Sequence, residues 1–153
     1  MNSLENFKIV QADISNLNDI EKIEQNLKIR NLSFVSLEND LKSDTNVYFM
    51  ALQNGKVLGY VALELLYDHI DITSIAVDKD YRQMGIATLL LNKVVSIYTK
   101  KKYNSIFLEV RVSNLPAIRL YEKLGFKKIS TRSNYYKIKD LTEDAYVYKK
   151  DLA

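Results

Sequence analysis

Arg82-Gln83-Met84-Gly85-Ile86-Ala87 stands between an apolar run, Ile72 to Val77, and a segment with Ile86, Leu89, Leu90, Val94, Ile97 and Tyr98 at helical spacing. Gly85 therefore falls at or near a helix N-terminus, where unpaired backbone N–H groups and the positive dipole end suit a phosphate or pyrophosphate. Glycine lets the backbone approach an anion closely and adopt φ > 0, and Ala87 keeps the next turn small. The pattern lacks the lysine of a P-loop and the three glycines of a Rossmann turn. Taken alone it is also what a plain strand–turn–helix join looks like. Two further residues could move protons. Glu109 lies among the apolar neighbours of Phe107-Leu108-Glu109-Val110-Arg111, where partial burial can make a carboxylate a usable base. Its simpler reading is a strand-face glutamate paired with a lysine or arginine. Tyr121 shares a helical face with Ala117 and Leu124, so it is either a packed core tyrosine or a phenol whose tip donates a proton.

These residues need elements to hold them. Phe7 to Gln11 reads as a short strand, followed by a helix from about Ser15 to Leu27 capped by Ser15 or Asn16, with Leu17, Ile20, Ile23 and Leu27 on one face. A short helix is expected from Leu37 to Lys42. Strands Val47 to Leu52 and Lys56 to Leu66 flank Asn54-Gly55, a strong hairpin signal. Gly59 within the second of these suggests a bulge or a close backbone approach. Tyr67-Asp68-His69 makes the next turn, and His69 has no second histidine or cysteine as a metal partner. Lys100-Lys101-Lys102 suits the C-terminal end of the long helix. Ile106 to Val110 is a strand. Ser113 or Asn114 caps a further helix with Pro116 in its first turn, and Gly125 stops it. Phe126 to Ile129 begins a strand, and Ala145 to Lys149 closes the sheet. Hairpins come first and strand–helix–strand crossovers follow, an α/β arrangement with a mixed sheet.

The 153 residues fit one domain, expected over 1–153, and 47% hydrophobic with 27% charged residues is an ordinary globular balance. No apolar stretch approaches the ~20 residues of a membrane span, and the acidic N-terminal stretch does not read as a secretory signal. The absence of cysteine excludes disulfides, thiolate metal sites and cysteine nucleophiles, which makes the cytoplasm the expected compartment. A net charge of +3 is too small to imply nucleic-acid binding. The basic residues concentrate in the second half, where they could take a phosphorylated cofactor or approach RNA, although most such lysines are expected to be simply solvated.

Arg82-x-x-Gly85-x-Ala87 resembles the pyrophosphate loop of the GCN5-related N-acetyltransferases (GNAT), which hold acetyl-coenzyme A this way. Leu108-Glu109-Val110-Arg111-x-x-Asn114, followed by Ala117-x-x-x-Tyr121-Glu122-x-Leu124-Gly125-Phe126, resembles one bacterial branch of that superfamily, the ribosomal-protein alanine N-acetyltransferases. The likeness continues through Arg132-x-Asn134-Tyr135-Tyr136 and Glu143-Asp144-Ala145, and so covers roughly half the chain. It implies a single GNAT-like domain, with a mixed, mostly antiparallel sheet and helices on both faces. It implies acetyl-coenzyme A as co-substrate, no metal, and a protein or peptide N-terminus as acceptor. By resemblance, Ile75, Ala76 and Val77 offer strand backbone to the pantetheine arm and an N–H to the thioester carbonyl. Gln83, Met84, Gly85, Ile86, Ala87 and Thr88 cradle the pyrophosphate, and Asn114 binds the cofactor arm, its backbone capping the helix. Glu109 becomes the base and Tyr121 the acid, while Tyr135 and Tyr136 hold the acceptor peptide, with a loop between them and Glu143. The family's Pro-Trp pair is missing; the corresponding stretch is Leu32-Ser33-Phe34-Val35-Ser36. Two other functions remain open here: a small-amine acetyltransferase with the same donor site, and a non-catalytic acyl-coenzyme A binding module. The latter would need neither Glu109 nor Tyr121.

Overall fold

A computed structural model describes residues 6–25 and 34–152. β1 (Phe7–Gln11) lies beside β2 (Asn46–Gln53), which turns through Asn54 and Gly55 into β3 (Lys56–Leu65). Both turn residues have positive φ, 51° and 82°, the geometry that matches the twist of a two-residue hairpin. β3 pairs with β4 (His69–Val77), which starts three residues earlier than the apolar run suggested because His69 to Asp71 also join the ladder. Beyond β4 come α3 (Ile86–Thr99), β5 (Ser105–Arg111), α4 (Leu115–Lys123), β6 (Lys127–Ile138) and β7 (Leu141–Asp151). The strand order is β1-β2-β3-β4-β5-β7-β6, and among the described residues β4 with β5 is the one parallel pair.

The second crossover, through α4, does not set β6 beside β5. It carries the chain to the outer edge, and β7 returns into the gap, antiparallel to both neighbours. β6 and β7 are a long hairpin with its turn near Lys139, so Tyr135-Tyr136 and Glu143-Asp144 face each other as strand residues, not across a loop. Cross-strand pairing extended both strands well past the segments expected from the apolar pattern.

α1 (Leu17–Glu24) and α2 (Phe34–Lys42) cover one face of the sheet, where Ile20, Ile23 and Leu37 pack on Tyr48, Met50 and Tyr60. α3 and α4 cover the other, with Leu90, Val94 and Tyr121 against Val61, Leu108 and Tyr148. Asn16, one of the two expected caps, occupies the N-cap of α1 but makes no side-chain capping hydrogen bond there, and neither it nor Ser15 caps the turn before it. Asp13 does, accepting from the Ser15 N–H at 2.9 Å, and Asn16 completes a capping box over a 3₁₀ turn that leads into α1. The end of the first helix near Leu27 and the stretch from Leu32 to Ser33 lie outside the described residues. Among the described residues no helix is long and apolar enough to cross a membrane.

Two bulges shape the middle of the sheet. Between Leu63↔Ile72 and Ala62↔Ser74, β4 carries one extra residue, Thr73. Ile70 and Ile72 therefore face α3 and α4, whereas Ser74 and Ala76 turn to the opposite face. The second bulge, on β3, adjoins Gly59. A Cβ at Gly59 would sit 2.8 Å from the Ala76 carbonyl oxygen, so the close backbone approach expected there is real.

Candidate active site

β4 and β5 part company. Their pairing runs from His69↔Ser105 only to Ile72↔Leu108, leaving Thr73 to Val77 and Glu109 to Arg111 without each other. Asp78 N–H donates to the Leu58 carbonyl at 2.8 Å, so by antiparallel alternation Ala76 also directs its backbone to β3. Ile75 and Val77 then turn their N–H groups into the split. The Val77 carbonyl, pointing the same way, accepts from Arg82 Nε at 3.3 Å.

The split opens into a cavity of about 700 Å³, within the range of small-molecule sites. Its walls are β4 (Ile75, Ala76, Val77), the turn into α3 and one face of α4. In that turn Gln83 and Gly85 both have positive φ, 63° and 84°. Left-handed residues alternating with others at a helix start direct backbone N–H groups into one concavity, an anion-binding arrangement. A Cβ at Gly85 would meet nothing within 4 Å, so the cradle is open on that side. Asn114 lines the same cavity. Its side-chain Oδ1 accepts from Ala117 N–H at 3.3 Å and its carbonyl accepts from Ile118 N–H, leaving the Nδ2 donors free of the capping role.

Tyr121 reaches the cavity from α4 and is buried between the rings of Phe126 and Tyr148, at centroid distances of 6.0 and 6.5 Å. Burial pushes its phenol well above the ordinary tyrosine range, so it carries its proton at any physiological pH. No hydrogen-bond partner for its hydroxyl exists among the described residues. Glu109 is the first β5 residue beyond the last β4–β5 pair. Ile106, Leu108 and Val110 face α3 and α4, so Glu109 and Arg111 face the other way. Glu109 Oε1 accepts from Arg132 Nη1 at 3.2 Å, and Oε2 accepts from the Tyr135 hydroxyl at 3.3 Å. The acid and base candidates thus flank the split from opposite faces of the sheet.

A profile of the Acetyltransferase (GNAT) family matches residues 14–126. The chain belongs to this family. It is 38% identical over 99 residues to the [Ribosomal protein bS18]-alanine N-acetyltransferase of Escherichia coli strain K12, covering 65% of this chain and 67% of the relative. It is 34% identical over 155 residues to the N-alpha-acetyltransferase of Sulfurisphaera tokodaii, covering 92% and 90%. The crystal structure of the Escherichia coli ribosomal-protein-S18-alanine N-acetyltransferase superposes with a TM-score of 0.89 at 30% identity, over 96% of this chain and 94% of that one. The protein is an N-acetyltransferase of the GNAT type.

Within the GNAT domain, nine of the ten residues expected at the cofactor line one cavity. The exception is Met84, whose side chain packs against the core beneath the turn. Tyr135 and Tyr136 sit apart from that cavity, on the face of Glu109. His69 is the first residue of β4 and no longer merely a turn residue: its Nδ1 lies 2.8 Å from Asp68 and its ring packs on Phe107. Sequence reasoning missed Tyr81, Leu120 and the guanidinium of Arg82 as cavity walls. Arg82 opens the quoted motif and was available as a signal; nothing in the sequence singled out Tyr81 or Leu120. It also missed Arg132, whose pairing with Glu109 crosses from β6 to β5 over β7.

Proposed function

We propose that this GNAT protein transfers the acetyl group of acetyl-coenzyme A to the α-amine of a protein or peptide N-terminus, with a ribosomal protein as the first acceptor to test. The parting of β4 and β5 carries this reading. It creates a passage with an anion cradle on one face and a carboxylate with two tyrosines on the other. Donor and acceptor can therefore approach from opposite sides and meet at the gap. The residues fit the cofactor: two left-handed residues and a helix start suit its pyrophosphate, and the free amide of Asn114 suits its arm.

The transfer forms an N–C bond, breaks a C–S bond and moves one proton from nitrogen to sulfur. The supplied thioester is already reactive, and an α-amine has a pKa near ~8, so modest assistance suffices. Glu109 accepts the amine's proton. Its contacts with Arg132 and Tyr135 are long ones that an incoming ammonium can replace. The Ile75 or Val77 N–H donates to the thioester oxygen as negative charge gathers there. Tyr121, held protonated by burial, gives its proton to the departing thiolate. Tyr135 and Tyr136 form the acceptor wall.

The test is a transfer screen with released thiol as the signal, over peptides beginning with Ala, Ser, Lys or Trp, spermidine and an aminoglycoside. Peptides beginning with Ala or Ser are expected to react fastest. Preference for a small amine over every peptide would replace the peptide reading, and binding of the donor without transfer to any acceptor would indicate a binding module.

A further inference from the structure

Arg111 and Arg132 make the same set of contacts on the acceptor face. Each guanidinium lies over a tyrosine ring, Arg132 over Tyr135 at 4.6 Å and Arg111 over Tyr136 at 4.7 Å. Each is ion-paired to a glutamate, Arg132 to Glu109 at 3.2 Å and Arg111 to Glu143 at 3.3 Å. They differ in burial. The Arg132 side chain is 54% exposed and that of Arg111 is 16% exposed. Arg111 Nη2 is wholly buried and has no hydrogen-bond partner. A buried guanidinium nitrogen without an acceptor costs stability, and an apolar side chain there would avoid that cost. The arrangement calls for a role other than holding the fold together.

Tyr136 supplies one. Between Arg132↔Ala145 and Tyr136↔Glu143, β6 contains three residues where β7 has only Asp144. Asn134 within this bulge has φ +53°, its N–H donating to Asp144 Oδ1 and its Oδ1 accepting from Thr142. Such a bulge re-aims side chains at the cost of local ladder bonds. Adjacent strand residues normally face opposite ways. Here Tyr135 and Tyr136 both reach residues on the Glu109 face, with their rings edge-to-face at 5.1 Å. The Tyr136 phenol also lies close enough to Tyr121 and to Glu109 to interact electrostatically with both.

We propose that Arg111 is a positioning residue for acetyl transfer, acting through Tyr136, whose ring its buried guanidinium holds in place on the Glu109 face. Glu143 fixes Arg111 in turn. One carboxylate oxygen takes the guanidinium, and the other accepts the Ser113 N–H at 2.8 Å, tying the end of β5 to β7. Arg132 and Tyr135 are the more exposed of the two pairs. The inference rests on Tyr136 belonging to the acceptor wall.

R111K separates positioning from scaffolding. Lysine can keep the charge pairing with Glu143 but has no planar group to stack on a ring. R111K and R111Q are compared with wild type on the best acceptor of the screen, peptide or small amine, alongside Tyr136→Leu and the two double variants. Loss of the stack is expected to lower kcat/KM for the acceptor by about three- to thirtyfold, the range of a desolvated cation–π contact. Donor affinity should stay within about twofold of wild type. In the Tyr136→Leu background neither Arg111 substitution should reduce kcat/KM further. Wild-type kinetics in R111K, equal losses of donor and acceptor binding, or losses that add to those of Tyr136→Leu would each overturn the proposal. If Tyr136→Leu itself changes nothing, the acceptor-wall reading of Tyr136 fails as well. If it is impaired while both Arg111 variants match wild type, only the role of Arg111 fails.

Discussion

Glu109 and Tyr121 have opposite surroundings, and the proposed division of labour follows from that. Glu109 stands beside a guanidinium and a phenol, with its side chain 31% exposed, where an incoming amine can reach its carboxylate. Tyr121 is sealed among aromatic rings and keeps its proton. Glu109→Gln should reduce turnover by about a hundred- to ten-thousandfold near neutral pH. The deficit should shrink as alkaline pH deprotonates the amine unaided. Tyr121→Phe should slow transfer by a similar factor while leaving donor affinity nearly unchanged, since only a hydroxyl is removed. Pre-steady-state thiol release and equilibrium donor binding, measured across pH, check both expectations. Turnover matching wild type in both variants would return these residues to packing.

Among the elements, β3 and β4 show how far the site depends on backbone fit. Gly59→Ala should push the Ala76 carbonyl away and disturb its neighbours Ile75 and Val77, costing about 1–3 kcal/mol in urea unfolding together with a loss of activity. Unchanged stability would mean that the strands absorb a methyl group there. The β5–β7 junction is sensitive to pH. The Ser113 hydrogen bonds hold the Glu143 carboxyl below its usual range, with Arg111 adding to the effect. A carboxylate depressed on folding contributes stability above its unfolded pKa and loses it as pH falls through the folded value. Wild type should therefore melt above Glu143→Gln at neutral pH, and the gap should close on acidification below about pH 4. A gap independent of pH would contradict this account. The same elements show what was legible beforehand. Asn54-Gly55, the α3 stripe and the Asn114–Gly125 helix are local signals, and they lie where the sequence places them. The length of β6 and β7, the bulges at Thr73 and Asn134, and the insertion of β7 beside β5 depend on pairing between distant segments. No local pattern encodes that. The lining of the cavity could be read because its residues are clustered along the chain. Arg111, Arg132 and their stacks could not, since three strands bring them together.

At the scale of the molecule, the proposed function divides the sheet between two tasks, with the cradle on one face and the acceptor wall on the other. Acetyl-coenzyme A should therefore raise the melting temperature, while NAD and ATP should not, because only a ligand that fits the native cavity shifts the unfolding equilibrium. Gly85→Asp, which forces a side chain into left-handed backbone at φ +84° and sets a negative charge in the cradle, should abolish that rise. A variant that still responds like wild type would move the pyrophosphate elsewhere. The parting of β4 and β5 has a further consequence. Sheets ordinarily present unpaired backbone only along their outer borders, where charges and bulges discourage strangers from pairing. Here a border lies inside the sheet, on β4 from Thr73 onward, and the amides of Ile75 and Val77 are directed into the cavity of the split. An extended molecule that offers alternating carbonyl and amide groups can dock there as a surrogate strand. Inhibitors of this enzyme need not copy the nucleotide; they can instead complete the sheet.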